Sequence, residues 1–215
     1  MAVRRQVSAP LREFEGEIAR LIRLDADNQT RFSSGPGRPA AGSLSRRQLC
    51  LTTEGIFFAA YRAFEGLVQD VFLLYCQGKP TLGGKRPHSY LNPKDFKHAE
   101  ELIQSSMRVL DWTAPDELVR RSELYLKDGY PVKNVLTANR AVLLDMKRIR
   151  NHIAHNSRES ASQYLKVLRA VLATLPIKPP SVGEFLLMQD RHNRPDYYLL
   201  TYLGHLSRIG QLLTA

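Results

Sequence analysis

Apolar residues recur at three- and four-residue intervals along most of the chain, and runs that alternate apolar with polar are few. That period belongs to helices and not to strands, so the chain reads as all-α, its helices separated by turn signals. A first helix is predicted over residues 11–26. Phe14, Ile18, Leu21 and Ile22 hold the spacing, and Pro10 falls in a first-turn position where its missing amide costs nothing. Residues 28–43 read as a solvated loop, because Gly, Pro, Ser and Arg replace the apolar series; its arginines could act as an electrostatic arm. The strongest helical signal covers residues 45–77, where Phe57, Tyr61, Phe64, Val68, Val71, Phe72 and Tyr75 make a wide apolar face. Gly78 stands just past its end as a stop, and Thr52-Thr53 is its weakest point.

Residues 79–93 read as loop, with Asn92-Pro93 supplying a cap and first-turn proline for a helix through Met107. A short helix follows over 115–126, then a turn at 128–131. One long helix runs from about Asn134 into a cluster of Arg and His. Asn156, with Glu159 three positions on, signals a fresh cap, so the next helix is expected over 157–175, ended by Pro176, Pro179 and Pro180. Residues 182–213 are amphipathic, with a break at 193–195. The expected division is an N-terminal helix and basic loop (1–44), a helical domain (45–175) and a C-terminal helical extension packed on it (176–215). No repeat at a period of 20–50 residues is visible.

Charge changes the picture. Thirty-one Lys and Arg against 21 Asp and Glu leave a net charge of +10, a field that favours polyanions. Nucleic acid is the first candidate. Binding to a membrane surface would rest on charge alone, since no strongly apolar face lies opposite a Lys/Arg face. The longest apolar run, residues 55–60, is far too short to cross a bilayer. The basic start at residues 1–6 is not followed by the apolar segment of a signal peptide. Cys50 and Cys76 sit among apolar helical residues and read as buried thiols rather than a disulfide or a metal site. The expectation is a soluble protein of a reducing cytoplasm.

One segment has a composition that demands a chemical reading. Residues 147–158 run Lys-Arg-Ile-Arg-Asn-His-Ile-Ala-His-Asn-Ser-Arg, with two of the six histidines and four cations at a helix end. Imidazole moves protons near neutral pH and guanidinium holds phosphate two-pronged. Together they can cleave RNA without a metal: His withdraws the 2′-OH proton, that oxygen attacks phosphorus, an acid protonates the leaving 5′-oxygen, and Arg offsets the charge on the phosphorane. A solvated helix C-terminus, where the dipole favours cations, is the other reading of the same residues. Zinc at His152 and His155 finds no third ligand at recognisable spacing.

The string Arg150-Asn151-His152-Ile153-Ala154-His155 resembles the R-x4–6-H signature of HEPN domains. Residues 60–68, from Ala60 to Val68, look like the long HEPN helix that packs against the motif helix and often presents an acidic residue, which maps to Glu65. The resemblance covers residues 45–175 and implies a HEPN-like antiparallel helical bundle. It further implies a homodimer with the motif at its interface, and an endoribonuclease with no metal or other cofactor, leaving a 2′,3′-cyclic phosphate. Arg150, His155, Asn151 and Glu65 become the catalytic candidates, and Arg148, His152, Lys147 and Arg158 the substrate-binding ones. A toxin or antiphage effector is implied, with an antitoxin or nucleotidyltransferase-like partner protein. A non-catalytic module binding RNA or a protein is the alternative.

Two further expectations bear on geometry. On a regular helix Arg150 and His155 lie about 140° apart around the axis, whereas Arg148, His152 and His155 share a stripe. The Asn156 signal suggests that the helix ends early, near His152, and lets Arg150 swing round. The row Val142, Met146, Ile149, Ile153, together with the aromatic face of 57–75, offers surplus apolar surface for dimerisation. Residues 82–85 read as a basic turn and 191–194 as a solvated basic turn, with His88 and His98 at the surface.

Overall fold

The computed structural model describes residues 6–32, 42–104, 111–112, 114–172 and 174–215. Among them the fold is all-α. The helices are α1 (Ser8–Arg31), α2 (Arg46–Cys76), α3 (Phe96–Gln104), α4 (Pro115–Tyr125), α5 (Val132–Ala138), α6 (Arg140–His155), α7 (Arg158–Val171), α8 (Val182–Leu186) and α9 (Tyr198–Thr214), with a 3-10 turn at Lys127–Gly129. Extended pairing among the described residues is limited to two isolated antiparallel bridges, Ser89 with Leu126 and Gln189 with Tyr197.

Helix ends follow local hydrogen-bond chemistry, and several differ from the periodic reading. α1 continues through the expected loop start at residue 28, because Asn28 is buried and the Thr30 hydroxyl donates back to the Ala26 carbonyl at 2.9 Å. The arginine-bearing loop of residues 33–41 lies outside the described residues. α2 is continuous past Thr52-Thr53, whose hydroxyls donate to the Gln48 and Leu49 carbonyls one turn back and so do not break the helix. Ser45 and Gln48 cap its start reciprocally. Gly78, at φ +68°, ends it, and the Lys79 amide donates to the Leu74 carbonyl.

α3 begins later than Asn92-Pro93 suggests, since the carboxylate of Asp95 takes the His98 amide at 2.8 Å and is the cap. The single helix expected from 134 is two. Asn139 breaks it at φ −109°, ψ 14°, its side-chain amide donating to the Val135 carbonyl. The cap of α7 is Ser157 and not Asn156; its partner in the capping box is Ser160. Asn156 serves as the left-handed residue between the helices, at φ +43°. The break in the C-terminal segment is wider than residues 193–195, with no helix between Leu186 and Tyr198.

The chain forms two compact units interleaved along the sequence, whereas the sequence reading divided it consecutively at 44/45 and 175/176. The first comprises Met1–Gly16, Arg62–Leu144 and Ser207–Ala215; the second comprises Glu17–Tyr61 and Asp145–Leu206. In the first, Phe14 and Phe64 pack at 6.1 Å, Phe72 takes the edges of Trp112 and Tyr125, and the Tyr75 hydroxyl donates to the Leu213 carbonyl at 2.6 Å. In the second, Phe185 stacks on Tyr198 at 4.8 Å and contacts Tyr164, while Phe57 packs on Tyr202. Burying each such ring contributes about 1.5–3 kcal/mol. No helix among the described residues is long and apolar enough to cross a membrane.

Surplus apolar surface, expected to drive dimerisation, is largely used inside the chain. Met146 and Ile149 are fully buried, as are Phe57, Tyr61, Phe64, Val68, Val71, Phe72 and Tyr75, and Val142 and Ile153 are half-buried.

Candidate active site

Helix α6 carries the Arg/His segment, and it stays regular to its last residue. The Asn156 amide still donates to the His152 carbonyl at 3.0 Å, so the early end near His152 does not occur. Arg150 and His155 are therefore about 140° apart around the axis and about 7.5 Å apart along it.

Arg150 is half-buried, its guanidinium 5.4 Å above the ring of Phe58 on α2. Among its contacts, Nη1 donates to Oδ1 of Asn151 at 3.2 Å. The aromatic face holds the guanidinium through the ring's negative quadrupole. Sequence brought Arg150 and Asn151 together as neighbours; Phe58 it read only as part of an apolar run.

His152 is the more elaborately held of the two histidines. Its imidazole stacks on Tyr164 of α7, centroids 5.0 Å and planes 22° apart, and Nδ1 lies 3.1 Å from Oγ of Ser160. The one hydrogen of Ser160 Oγ goes to the Ser157 carbonyl at 2.9 Å. The contact ties Nδ1 of the ring to the cap of α7 and leaves Nε2 outside it. Burial holds the pKa of His152 below its ordinary 6.5, opposed in part by the carboxylate of Glu54. His152 is neutral at pH 7 and suited to take a proton.

The surrounding elements fix this pocket. Tyr164 donates toward the Pro180 and Ser181 carbonyls at 3.2 Å, and Glu54 accepts the Gly183 amide at 2.8 Å. Gly183 lies so close to α2 that a Cβ there would come within 2.5 Å of the Cys50 carbonyl oxygen. Glycine at 183 is what lets α8 seat against α2.

Other predicted residues are placed differently. His155 is exposed at the end of α6, with no hydrogen bond among those described. Arg148 is paired with Asp145 one turn back, Nη1 to Oδ1 at 2.8 Å, which blunts it as a phosphate ligand. Lys147 is half-buried, and Arg158 is exposed in the first turn of α7. Glu65 is half-buried on α2 and belongs to the first unit, whereas residues 147–158 belong to the second. A described surface cavity is lined by Leu24, Asp27, Asn28, Thr30 and Arg31 and includes none of these side chains.

Both cysteines are free and buried, and burial pushes the Cys76 thiol up to about 12, so it is no nucleophile at neutral pH. Among the described residues no group of three or more His, Cys, Asp or Glu could hold a metal ion. The residues sequence reasoning missed are Phe58, Tyr164, Ser160 and Glu54. Of these only Ser160 left a local trace, as the third residue after the cap Ser157. Comparison with protein-family models, with curated proteins and with solved structures finds no match to this chain.

Proposed function

We propose that the protein is a metal-independent endoribonuclease of HEPN type. The observation that carries this reading is His152, stacked on Tyr164 and kept neutral by burial, and an exposed His155 on one regular helix that also holds Arg150 over Phe58. In the reaction an imidazole accepts the 2′-OH proton, the 2′-oxygen bonds to phosphorus, and the bond from phosphorus to the 5′-oxygen breaks. A protonated imidazole gives its proton to that oxygen, leaving a 2′,3′-cyclic phosphate. His155 is assigned the acid/base work and Arg150 the charge of the phosphorane, with Asn151 orienting Arg150 and Glu65 as the acidic residue the resemblance implies. His152, Lys147 and Arg158 hold the substrate, with Arg148 in a lesser place because Asp145 already engages it.

Two copies are required on this reading. Arg150 and His155 of one α6 point away from each other; the paired site this reading requires brings the arginine of one copy to the histidine of the other across a two-fold interface. With Met146 and Ile149 buried and Val142 and Ile153 half-buried, polar contacts around α6 rather than a greasy face would hold the dimer. A toxin or antiphage role in the cytoplasm, restrained by an antitoxin or nucleotidyltransferase-like protein, is the biological setting we infer.

The test is purified protein with RNA in EDTA, wild type beside His155→Ala. Cleavage by the wild type alone, with cyclic phosphate ends, supports the reading; a requirement for added divalent metal defeats it. One observation favours the second reading, a non-catalytic module that binds RNA or a protein. Within one chain Arg148 is engaged by Asp145, and Arg150 and His155 diverge. Absence of cleavage together with retained RNA binding selects it.

A further inference from the structure

The segment between α2 and α3 carries chemistry that the proposed reaction does not use. Residues 88–90 run antiparallel to 125–127: the Lys127 amide donates to the His88 carbonyl and the Tyr90 amide to the Tyr125 carbonyl, both at 2.9 Å, around the Ser89–Leu126 bridge. In such a pair Ser89 and Leu126 share one side, and His88, Tyr90, Tyr125 and Lys127 the other. Leu126 is fully buried; on the second side Tyr125 is half-buried against Phe72, and His88, Tyr90 and Lys127 face outward. His88 and Lys127 are exposed and Tyr90 is 58% exposed, with the His88 and Tyr90 rings edge to face at 5.7 Å.

Cations neighbour these rings in sequence and across the pair. Lys85 Nζ lies 4.0 Å from the ring centre of Tyr130, and Arg86 is exposed. In the same unit Lys133 is paired with Glu123 and Arg140 with Asp116. Among the described residues no carboxylate pairs with Lys85, Arg86 or Lys127; the acid beside them in sequence is the exposed Asp128. The platform is also braced. The Thr81 amide donates to the Lys85 carbonyl at 2.8 Å and the Leu82 amide to the Thr214 carbonyl at 2.7 Å. Gly129, at φ +68°, takes a turn in which any Cβ would strike Ser122 and Lys133.

We propose that this ribbon is a binding platform for single-stranded RNA, Tyr90 stacking on a base while Lys85, Arg86 and Lys127 hold the neighbouring phosphates. Unpaired cations answer phosphates, and an exposed ring on a rigid support answers an unstacked base; single strands offer both together. A duplex presents the phosphates but keeps its bases stacked. A membrane-lying element needs a continuous apolar face, which cations and rings do not form. The proposal rests on the ribonuclease reading only for calling that RNA a substrate; the binding stands without it.

The test uses the full chain carrying His155→Ala, so that the RNA stays intact. Fluorescence anisotropy is read for a single strand of about 12 nucleotides, within the span such platforms cover, for a duplex RNA and for vesicles containing phosphatidylserine. Tyr90→Ala should weaken the single strand about tenfold and leave the duplex unchanged, and circular dichroism should show the fold retained. Lys85→Ala with Lys127→Ala should lower the slope of log affinity against log salt by about 1.4, two phosphate contacts' worth. Unchanged affinity and slope overturn the proposal, as does equal loss for single strand and duplex, or loss of vesicle binding with RNA affinity retained. Wild type that binds through the ribbon yet cleaves nothing defeats the ribonuclease reading alone. Ribbon variants that bind RNA like the parent defeat the platform alone.

Discussion

His152 lies flat on Tyr164, ring centres 5.0 Å and planes 22° apart. The contact removes one face of the imidazole from water, and burial is what lowers its pKa below 6.5. Histidine C–H shifts followed by NMR should show His152 titrating below the ordinary range. Tyr164→Ala should move it back toward 6.5, because the ring is then wetted. Since the folded pKa is depressed, His152 contributes stability that is complete above pH 6.5 and declines as pH falls below it. A wild-type His152 that titrates above 6.5 contradicts the arrangement.

Asp25 behaves in the opposite sense. It is 1% exposed, accepts the Tyr197 hydroxyl, and burial raises its pKa to about 6. A carboxyl whose pKa is raised on folding favours the fold at low pH, and that contribution is lost as pH rises from about 4 through about 6. Asp25→Asn, which keeps an acceptor for Tyr197, should raise stability at pH 7 by about 2 kcal/mol, discounting the rise for solvent screening, and change little at pH 4. Urea titrations at the two pH values measure it; destabilisation at pH 7 would show that the charged form is favoured.

Gly183→Ala should destabilise by about 1–3 kcal/mol, because its Cβ meets Cys50 backbone at 2.5–2.7 Å and backbone cannot yield as a side-chain tip can. It should also loosen the Tyr164 contacts at residues 180 and 181, so the His152 resonance should shift with the melting temperature. Melting unchanged from wild type contradicts this close approach.

Light scattering at micromolar concentration should give twice 24.4 kDa. The expected interface is polar, and moderate salt should weaken it where an apolar seam would not respond. A monomer mass at every concentration removes the paired-site mechanism.

Periodicity made the helical class legible, and most helix bodies lie close to where the apolar spacing places them, though residues 187–192, expected to be helical, are not. The ends were less so, because a cap is a single hydrogen bond. Asp95 in place of Asn92, Ser157 in place of Asn156 and the break at Asn139 each turn on one side chain choosing a backbone partner. Interleaving of the two units rests on contacts between residues more than a hundred apart, as from Tyr75 to Leu213, and no local pattern encodes these. At the site, composition singled out residues 147–158. The partners that set their chemistry, Phe58 under Arg150 and Tyr164 under His152, come from other helices and left no mark near the motif.

Mixing two inactive variants tests the paired site most directly. Arg150→Ala and His155→Ala should each lose cleavage of single-stranded RNA in EDTA, His155→Ala by about 10²–10⁴ in rate. Exchanged together in equal amounts, half the dimers carry one of each chain, and one of their two composite sites regains both groups, so the mixture should recover about a quarter of wild-type activity. A mixture as inactive as its components, beside an active wild type, would contradict a site shared between two copies; a wild type that cleaves nothing without metal would contradict the enzyme itself.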